Sequence, residues 1–298
     1  MEIETLSPLY FNDEVIVKPS YDIYKVETSK GRYYYTLEDG VRFYISVTNI
    51  LSRFTPTPSH LIKWIAQHGE EGADKIKNRR AAYGTLMHDT IEDLIIDGGI
   101  DLDKLPERVD GYFEENDIWD ASRQEFTDEL YKDITAFAQF MIDKKVKPIA
   151  VEVVIKSDRF DVAGAVDLLC TLEFRKKRRF AIIDFKSSKK NFYENNEIQL
   201  EYYKQAVLET WPSFKGEDIM LFNWSGKDWR SSPAYNLKNQ TNLHSENEIE
   251  LYSKLYKEKT KSNPVGDTQI VDFNGKISLG KGDISENYSV QTLKEKLK

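Results

Sequence analysis

Two apolar runs joined by a short charged segment most constrain how this chain can fold. Residues 162–172 and 180–183 are rich in Val, Ala, Ile and Leu, as expected for strands buried on both faces. Residues 173–179 between them are almost all charged, and they are only long enough to turn one antiparallel strand into the next. A third run, 151–155, precedes them. The sequence therefore predicts a three-stranded antiparallel meander.

Acidic residues lie within these apolar strands, where they need partners. Glu152 lies in the run 151–155, and Asp167 lies in the run 162–172. Asp184 and Lys186 follow the run 180–183. The two-residue period of a strand puts Asp184 and Lys186 on one face. Converging carboxylates suit Mg²⁺ or Mn²⁺ rather than Zn²⁺. This set predicts a metal-dependent phosphodiesterase site in which Lys186 holds the attacking water or stabilises the transition state.

Similar fragments elsewhere show how little each motif means alone. Asp143 and Lys145 repeat the Asp-x-Lys pattern at the charged end of a predicted helix, and Gly-x-x-Asp recurs in Gly-rich loops at 98–101 and 280–283. A lone Asp-x-Lys on a strand is more often a surface ion pair than a site. The apolar context separates the candidate acids from these copies.

Two predicted helices add polar residues to the candidate site. Thr85 is a natural N-cap for a helix on which His88 and Glu92 share a face. A second helix places Gln199 and Tyr203 one turn apart. The alternatives are a hydrogen-bonded core histidine and an aromatic helix that packs on the sheet.

The ordered set resembles the PD-(D/E)XK nucleases, specifically their RecB-like branch, and within it the mitochondrial genome maintenance exonucleases and related phage exonucleases. An upstream Ser-Val-Thr triplet in residues 45–51 adds to the likeness, which runs from about 46 to 211. The matching pieces are Gly84-Thr85-x-x-His88, Glu152, Gly164-x-x-Asp167, Asp184-x-Lys186 and Gln199-x-x-x-Tyr203.

The resemblance implies an α/β (α+β) fold with a restriction-endonuclease-like core. That core is a central mixed sheet flanked by helices, with an N-terminal β-hairpin region and a helical arch. We expect a β-rich extension over residues 1–47, the nuclease core with its helical insertion over 48–237, and a helix followed by a mobile or partner-binding tail over 238–298. One of the helices is predicted over about 59–67.

The resemblance also implies a role for each matching residue. His88, Asp167, Asp184 and the carbonyl of Phe185 would bind one or two Mg²⁺ or Mn²⁺ ions, with Glu152 assisting. Lys186 would be catalytic. Gln199 and Tyr203 would hold DNA or orient the active-site water.

The cysteine count and the missing phosphate loop limit the kind of nuclease. Many relatives in this branch carry a four-cysteine iron-sulfur cluster, which Cys170, the single cysteine, cannot hold. The sequence contains no Walker A phosphate loop, so we expect a stand-alone nuclease without helicase activity.

Charge and composition bear on partners and location. The net charge is −8, part of which belongs to the metal site. Arg79, Arg80 and Thr85 are predicted to contact nucleic acid, and so is the basic segment 175–179, for which a solvated turn is the alternative. We expect no membrane helix and no signal peptide, and hence the cytoplasm of a prokaryotic or virus-infected cell.

The predicted function is a DNA exonuclease that favours single strands or strand ends, in phage or prokaryotic recombination, replication or repair. A recombination annealing protein or a single-strand-binding protein is a candidate partner. Because endonucleases share the same acids and lysine, a structure-specific endonuclease stays an alternative, as does an RNA-processing nuclease. A catalytically silent nucleic-acid-binding scaffold of the same fold is the alternative from another class.

Overall fold

The computed structural model describes residues 18–28, 31–37, 41–188 and 194–260. The predicted tail beyond residue 260 and the start of the chain up to residue 17 lie outside the described residues. In the described part, no helix combines the length and apolar character needed to cross a membrane.

A single mixed sheet of eight strands forms the centre of the described structure. The predicted meander is present and antiparallel, as β4, β5 and β6. The strands run in the order β1-β2-β3-β5-β6-β7-β8, with β4 paired to β5 off this path. Their bounds are β1 Tyr24–Thr28, β2 Gly31–Thr36, β3 Arg42–Ser46, β4 Lys147–Ser157, β5 Val162–Phe174, β6 Lys177–Phe185, β7 Ile219–Gly226 and β8 Tyr235–Asn239.

One edge of β5 is shared by two strands, and this sharing opens a gap. β4 occupies the other edge, over residues 162–171. On the shared edge β3 pairs in parallel with Val162 and Ala163, whereas β6 pairs antiparallel with residues 168–174. Residues 164–167 of β5 therefore face the space between the ends of β3 and β6. The N-terminal hairpin is thus continuous with the main sheet.

Helices cover both faces of the sheet, which confirms the predicted fold class. On one face, α2, α3 and α4 pack against β5, β6 and β7 through residues such as Met87, Phe137 and Trp224. On the other face, α1, α5 and α6 pack on the sheet through residues such as Tyr202 and Ile249. The bounds are α1 Val47–Phe54, α2 Ser59–Ile96, α3 Leu105–Glu115, α4 Arg123–Asp143, α5 Glu194–Thr210 and α6 Glu246–Thr260, with 3₁₀ turns at Leu102–Lys104 and Pro212–Phe214.

An aromatic cluster ties the first helical layer to the strand that ends in the candidate site. The Phe137 ring lies 5.3 Å from the rings of both Phe185 and Trp224 in edge-to-face contacts. Each fully buried aromatic of this size contributes about 1.5–3 kcal/mol. The apolar side of β6 is thereby fixed, and the adjacent Asp184 points to the other side.

The helix that carries His88 is longer than predicted. α2 consists of two helical segments that meet at Gly69, where φ is 71° and ψ is 161°. The first segment confirms the predicted helix over 59–67. The second begins after Gly69 and not at Thr85. Good helix formers after the kink, with an ion pair between Glu71 and Lys75, rebuild the helix. Thr85 lies within it, and its hydroxyl donates to the Ala81 carbonyl at 3.3 Å. The N-cap prediction is wrong.

Candidate active site

A pocket of about 330 Å³ lies in the gap between the ends of β3 and β6. Nine of its wall residues are also predicted site residues: Arg80, His88, Glu152, Asp167, Asp184, Phe185, Lys186, Gln199 and Tyr203. The last pair between β5 and β6 at this end is Leu168 with Ile183. Asp167 and Asp184 lie just beyond this pair, so the two strands bring their side chains together.

Asp167 is anchored by the backbone of the neighbouring strand. Its Oδ2 accepts a hydrogen bond from the Phe185 amide at 2.6 Å, and only 7% of the residue is exposed. The bond uses one carboxylate oxygen and leaves Oδ1 directed toward His88, whose Nδ1 lies 3.8 Å away. Asp167 therefore presents one oxygen to the pocket.

His88 is the centre of a compact group of polar atoms. Its Nδ1 lies 2.8 Å from Glu152 Oε1, and its Nε2 lies 3.3 Å from the Phe185 carbonyl oxygen. Ligand atoms of His88, Glu152 and Asp167 all lie within 4.8 Å of one another, close enough to hold one metal ion.

Glu152 reaches this group through an unusual backbone conformation. Its φ is +44°, a left-handed value that costs a residue with a side chain about 1–2 kcal/mol. The conformation reverses the alternation of β4, so that Val151 and Val153 pack on opposite faces of the sheet although they are two residues apart. The strain lets the strand bury both valines and still direct Glu152 into the pocket.

A profile of the PD-(D/E)XK nuclease superfamily matches residues 61–269, which is more than half of the chain. The chain belongs to the PD-(D/E)XK nuclease superfamily. A comparison with curated proteins finds no match. Membership in this superfamily supports metal-dependent cleavage of nucleic acid.

The Asp-x-Lys element of the superfamily lies where β6 ends. Lys186 Nζ is 2.6 Å from the Asp184 carboxylate, so the predicted common face of the two side chains is confirmed. Asp184 is 1% exposed, and its Oδ2 accepts a hydrogen bond from Asn223 Nδ2 at 2.6 Å. Asn223 in turn accepts from Gln240 Nε2 at 2.8 Å.

Sequence reasoning missed Asn223 and Gln240. One signal was available: Asn223 is a polar residue in the apolar run 219–224, and a buried amide in a central strand needs partners. Gln240 follows β8 and gives no comparable signal. Arg32, Tyr34 and Ser46 also line the pocket from β2 and β3, and we had not singled out Arg32 or Tyr34.

Gln199 and Tyr203 form the wall contributed by α5. Gln199 Nε2 donates to the Tyr203 hydroxyl at 2.8 Å. The Tyr203 ring lies against the backbone of Gly164, where an added Cβ would be 2.7 Å from Tyr203 Cε1. The glycine of the Gly-x-x-Asp motif is thus required by a close approach of α5 to β5. Burial, with the nearby charges of Asp167 and Asp184, raises the pKa of Tyr203 well above its usual value.

The charges in the pocket are strongly coupled. Burial would lower the pKa of His88, but the carboxylates of Asp167 and Glu152 outweigh it and raise the pKa to about 9. Burial, assisted by Glu152, raises the pKa of Asp167 to about 6 despite His88 and Lys186. Burial also raises the pKa of Asp184 to about 6, against the attraction of Lys186.

These residues fit a divalent metal ion. Carboxylate and carbonyl oxygens with one imidazole are a donor set that binds Mg²⁺ or Mn²⁺, and PD-(D/E)XK nucleases use divalent metals. Two buried carboxylates with raised pKa values are costly in their ionised form, and a cation would relieve that cost. The compact group contains Glu152, while Asp184 of the predicted ligand set lies beside it and is hydrogen-bonded to Lys186 and Asn223.

Three predicted nucleic-acid contacts lie away from the pocket. Within the described structure, Arg79 and Thr85 are not part of its wall, and Arg79 lies 3.9 Å from Glu125. The basic segment 175–179, also predicted to contact nucleic acid, lies at the opposite end of β6 from the site. Lys177 starts β6 seven residues before Asp184, which is about 23 Å away at ~3.3 Å per residue. Arg80 does line the pocket, where Glu129 accepts two hydrogen bonds from it at 2.8 Å.

Proposed function

We propose that this PD-(D/E)XK nuclease is a DNA exonuclease that acts on single strands or strand ends with Mg²⁺ or Mn²⁺. The observation that carries the proposal is the small volume of the pocket. Its volume of about 330 Å³ is at the small end of ligand sites, which span roughly 300–1,000 Å³. A space of this size suits one nucleotide at a time. Residues of β2, β3, α2 and α5 line it, which favours an unpaired end over an intact duplex.

The pocket wall also contains arginines that can bind the phosphates of a strand end. Arg32 at the pocket is 44% exposed in its side chain and pairs with Glu27, which is 56% exposed. Exposed ion pairs of this kind contribute about 0–1 kcal/mol, so a phosphate can replace Glu27 at little cost. Arg80 also lines the pocket, but its partner Glu129 is only 18% exposed in its side chain and accepts two hydrogen bonds from it, so this pair is held more firmly. Arg32 is therefore the arginine whose partner a phosphate of the strand end can replace.

In the proposed mechanism each side chain has a distinct task. His88, Glu152, Asp167, Asp184 and the Phe185 carbonyl would hold the metal. The bound ion supplies Lewis-acid stabilisation of the phosphate and lowers the pKa of a coordinated water. Lys186 holds the attacking water by hydrogen bonding and stabilises the charge that develops on the phosphate. Gln199 and Tyr203 fix the strand, and burial keeps the Tyr203 hydroxyl protonated as a neutral donor.

The biological setting is proposed from the family resemblance. Degradation of strand ends is a step in phage or prokaryotic recombination, replication and repair. In the cytoplasm such an enzyme would work beside an annealing protein or a single-strand-binding protein, which would receive or protect the exposed strand.

The test is cleavage of end-labelled linear DNA, single- and double-stranded, beside a covalently closed circle and a linear RNA. Each substrate is incubated with Mg²⁺, Mn²⁺ or EDTA. The inactive variant is Asp184→Asn, and the matched control is Asp143→Asn, an exposed aspartate in the other Asp-x-Lys sequence.

The exonuclease proposal predicts metal-dependent shortening of linear DNA by wild type and Asp143→Asn, with an intact circle and no cleavage by Asp184→Asn. Cutting of the circle would make the protein an endonuclease. Cleavage of RNA alone would make it an RNA-processing nuclease. Absence of cleavage with every metal and substrate would favour a binding scaffold.

A further inference from the structure

Asn223 is a fully buried amide that contacts the acid of the Asp-x-Lys element. Asn223 lies in β7 between Phe222 and Trp224 and is 0% exposed. β6 and β7 are parallel and in register, with Asp184 opposite Asn223. The amide Nδ2 lies 2.6 Å from Asp184 Oδ2. The register of two neighbouring strands thus brings this donor to the carboxylate.

Gln240 determines which end of the Asn223 amide faces Asp184. A carboxylate only accepts hydrogen bonds, so the amide nitrogen of Asn223 must face it and the amide oxygen must face away. Gln240 Nε2 donates to that oxygen at 2.8 Å. Gln240 is 1% exposed, and its own backbone amide is held 2.8 Å from the Leu221 carbonyl. Gln240 therefore donates to Asn223, and Asn223 donates to Asp184.

This arrangement leaves one buried atom without a partner in the described structure. Gln240 Oε1 has no hydrogen bond there, although an unsatisfied buried acceptor costs about 1–3 kcal/mol. Turning the Gln240 side chain would only exchange the unpaired oxygen for an unpaired nitrogen and would set two oxygens against each other. The orientation of the two amides therefore satisfies Asp184 and leaves Gln240 Oε1 unsatisfied.

We propose that Asn223 and Gln240 are positioning residues that fix the Asp184 carboxylate for metal binding. The inference rests on the proposed metal-dependent nuclease function, in which Asp184 is a ligand. Lys186, which directly follows β6, and Asn223 of β7 approach the carboxylate from separate strands, so its plane is set before an ion arrives. Hydrogen-bond partners of metal ligands typically change metal affinity by roughly 10- to 100-fold when they are altered.

Two substitutions of Gln240 separate positioning from a purely structural role. Gln240→Glu keeps the volume but presents only oxygens when ionised, so Asn223 must turn its nitrogen toward Glu and its oxygen toward Asp184. Burial raises the pKa of such a carboxyl, and its protonated form can still donate to Asn223. The comparison is therefore made at pH 6.5 and at pH 8.5, and the effect of Gln240→Glu must grow with pH.

Gln240→Met also keeps the volume. It removes the hydrogen bond to the Asn223 oxygen but does not force the Asn223 amide to turn over. Positioning predicts a much larger effect on metal binding for Gln240→Glu than for Gln240→Met. A purely structural role predicts that the loss of metal affinity in each variant is proportional to its loss of thermal stability.

The experiment titrates Mn²⁺ into wild type, both variants and the charge control Gln124→Glu, an exposed α4 residue. The readouts are the Mn²⁺ concentration that half-saturates the protein in a calorimetric titration and, separately, the concentration that gives half-maximal DNA cleavage. We expect both concentrations to rise roughly 10- to 100-fold in Gln240→Glu, several-fold at most in Gln240→Met, and not at all in the control.

The outcomes distinguish this inference from the proposed function. If wild type responds to Mn²⁺ and Gln240→Glu has the same half-saturation, the positioning role is refuted while the nuclease proposal stands. If the two variants shift half-saturation equally and in proportion to their loss of Tm, a structural role replaces it. If wild type shows neither Mn²⁺ binding in the titration nor cleavage, the proposed function fails and the inference fails with it.

Discussion

Replacing Asp184 by Asn should abolish cleavage and at the same time stabilise the metal-free protein. Asp184 is 1% exposed, and burial raises its pKa from 3.8 to about 6. The folded state therefore disfavours the ionised carboxylate, and the attraction of Lys186 is already contained in that pKa. Asn has nearly the same shape but carries no charge that must be buried.

The size of the effect follows from the pKa difference. About two pK units at 1.36 kcal/mol each correspond to about 3 kcal/mol. Below pH 3.8 the carboxyl is protonated in both the folded and the unfolded state, and the cost is zero. The cost grows between pH 3.8 and 6 and is complete above pH 6. At about 2–4 °C per kcal/mol for a chain of this size, Asp184→Asn should melt at least about 6 °C higher at pH 8.

Thermal melts of wild type, Asp184→Asn and the exposed control Asp143→Asn, in EDTA from pH 4 to pH 8, measure this effect. The difference in Tm between wild type and Asp184→Asn should disappear near pH 4. It should also narrow at pH 8 when Mg²⁺ or Mn²⁺ is added, because the ion stabilises only the wild type. If Asp184→Asn melts at or below the wild-type temperature at pH 8 in EDTA, the buried charge is not a net cost and our electrostatic argument fails.

Three further predictions concern the pocket walls and its titration. Gly164→Ala should lower the free energy of unfolding by about 1–3 kcal/mol, measured by urea denaturation, because its Cβ would overlap the Tyr203 ring; an unchanged midpoint would contradict this. Arg32→Ala should raise KM for DNA ends with little change in kcat or Tm, whereas Glu27→Ala should not raise KM; equal kinetics of both variants would exclude a phosphate contact. The Mn²⁺ concentration for half-maximal binding should fall as pH rises through about 6 and further toward 9, because Asp167 and then His88 must lose a proton to bind metal; calorimetric titration from pH 5 to pH 8 checks this, and a half-saturation that does not change with pH would contradict it.

The elements that could be predicted from the sequence are those with a local pattern. The apolar runs of β4, β5 and β6 predicted three strands that the structure has. The period of two along β6 correctly placed Asp184 and Lys186 together. The four-residue spacing of Gln199 and Tyr203 predicted their stacking on α5, where they are hydrogen-bonded. In each case a few neighbouring residues contain the information.

The features that could not be predicted depend on contacts between distant parts of the chain. No local pattern shows that β3 pairs with β5, and without that pairing the pocket lacks the wall that contains Arg32. The contact of Asn223 with Asp184 depends on the register of β6 and β7.

The pairing of β3 with β5 also imposes an order on biosynthesis. Ile45 pairs with Val162, which is 117 positions later in the chain. At a synthesis rate of about 5–20 residues per second, the N-terminal hairpin waits roughly 6–23 s for its neighbour. During that time β3 presents an unpaired edge that contains Phe43, Tyr44 and Ile45, and such an edge is prone to aggregation. The unpaired edge of β3 therefore persists until residues 162–163 of β5 have been synthesised.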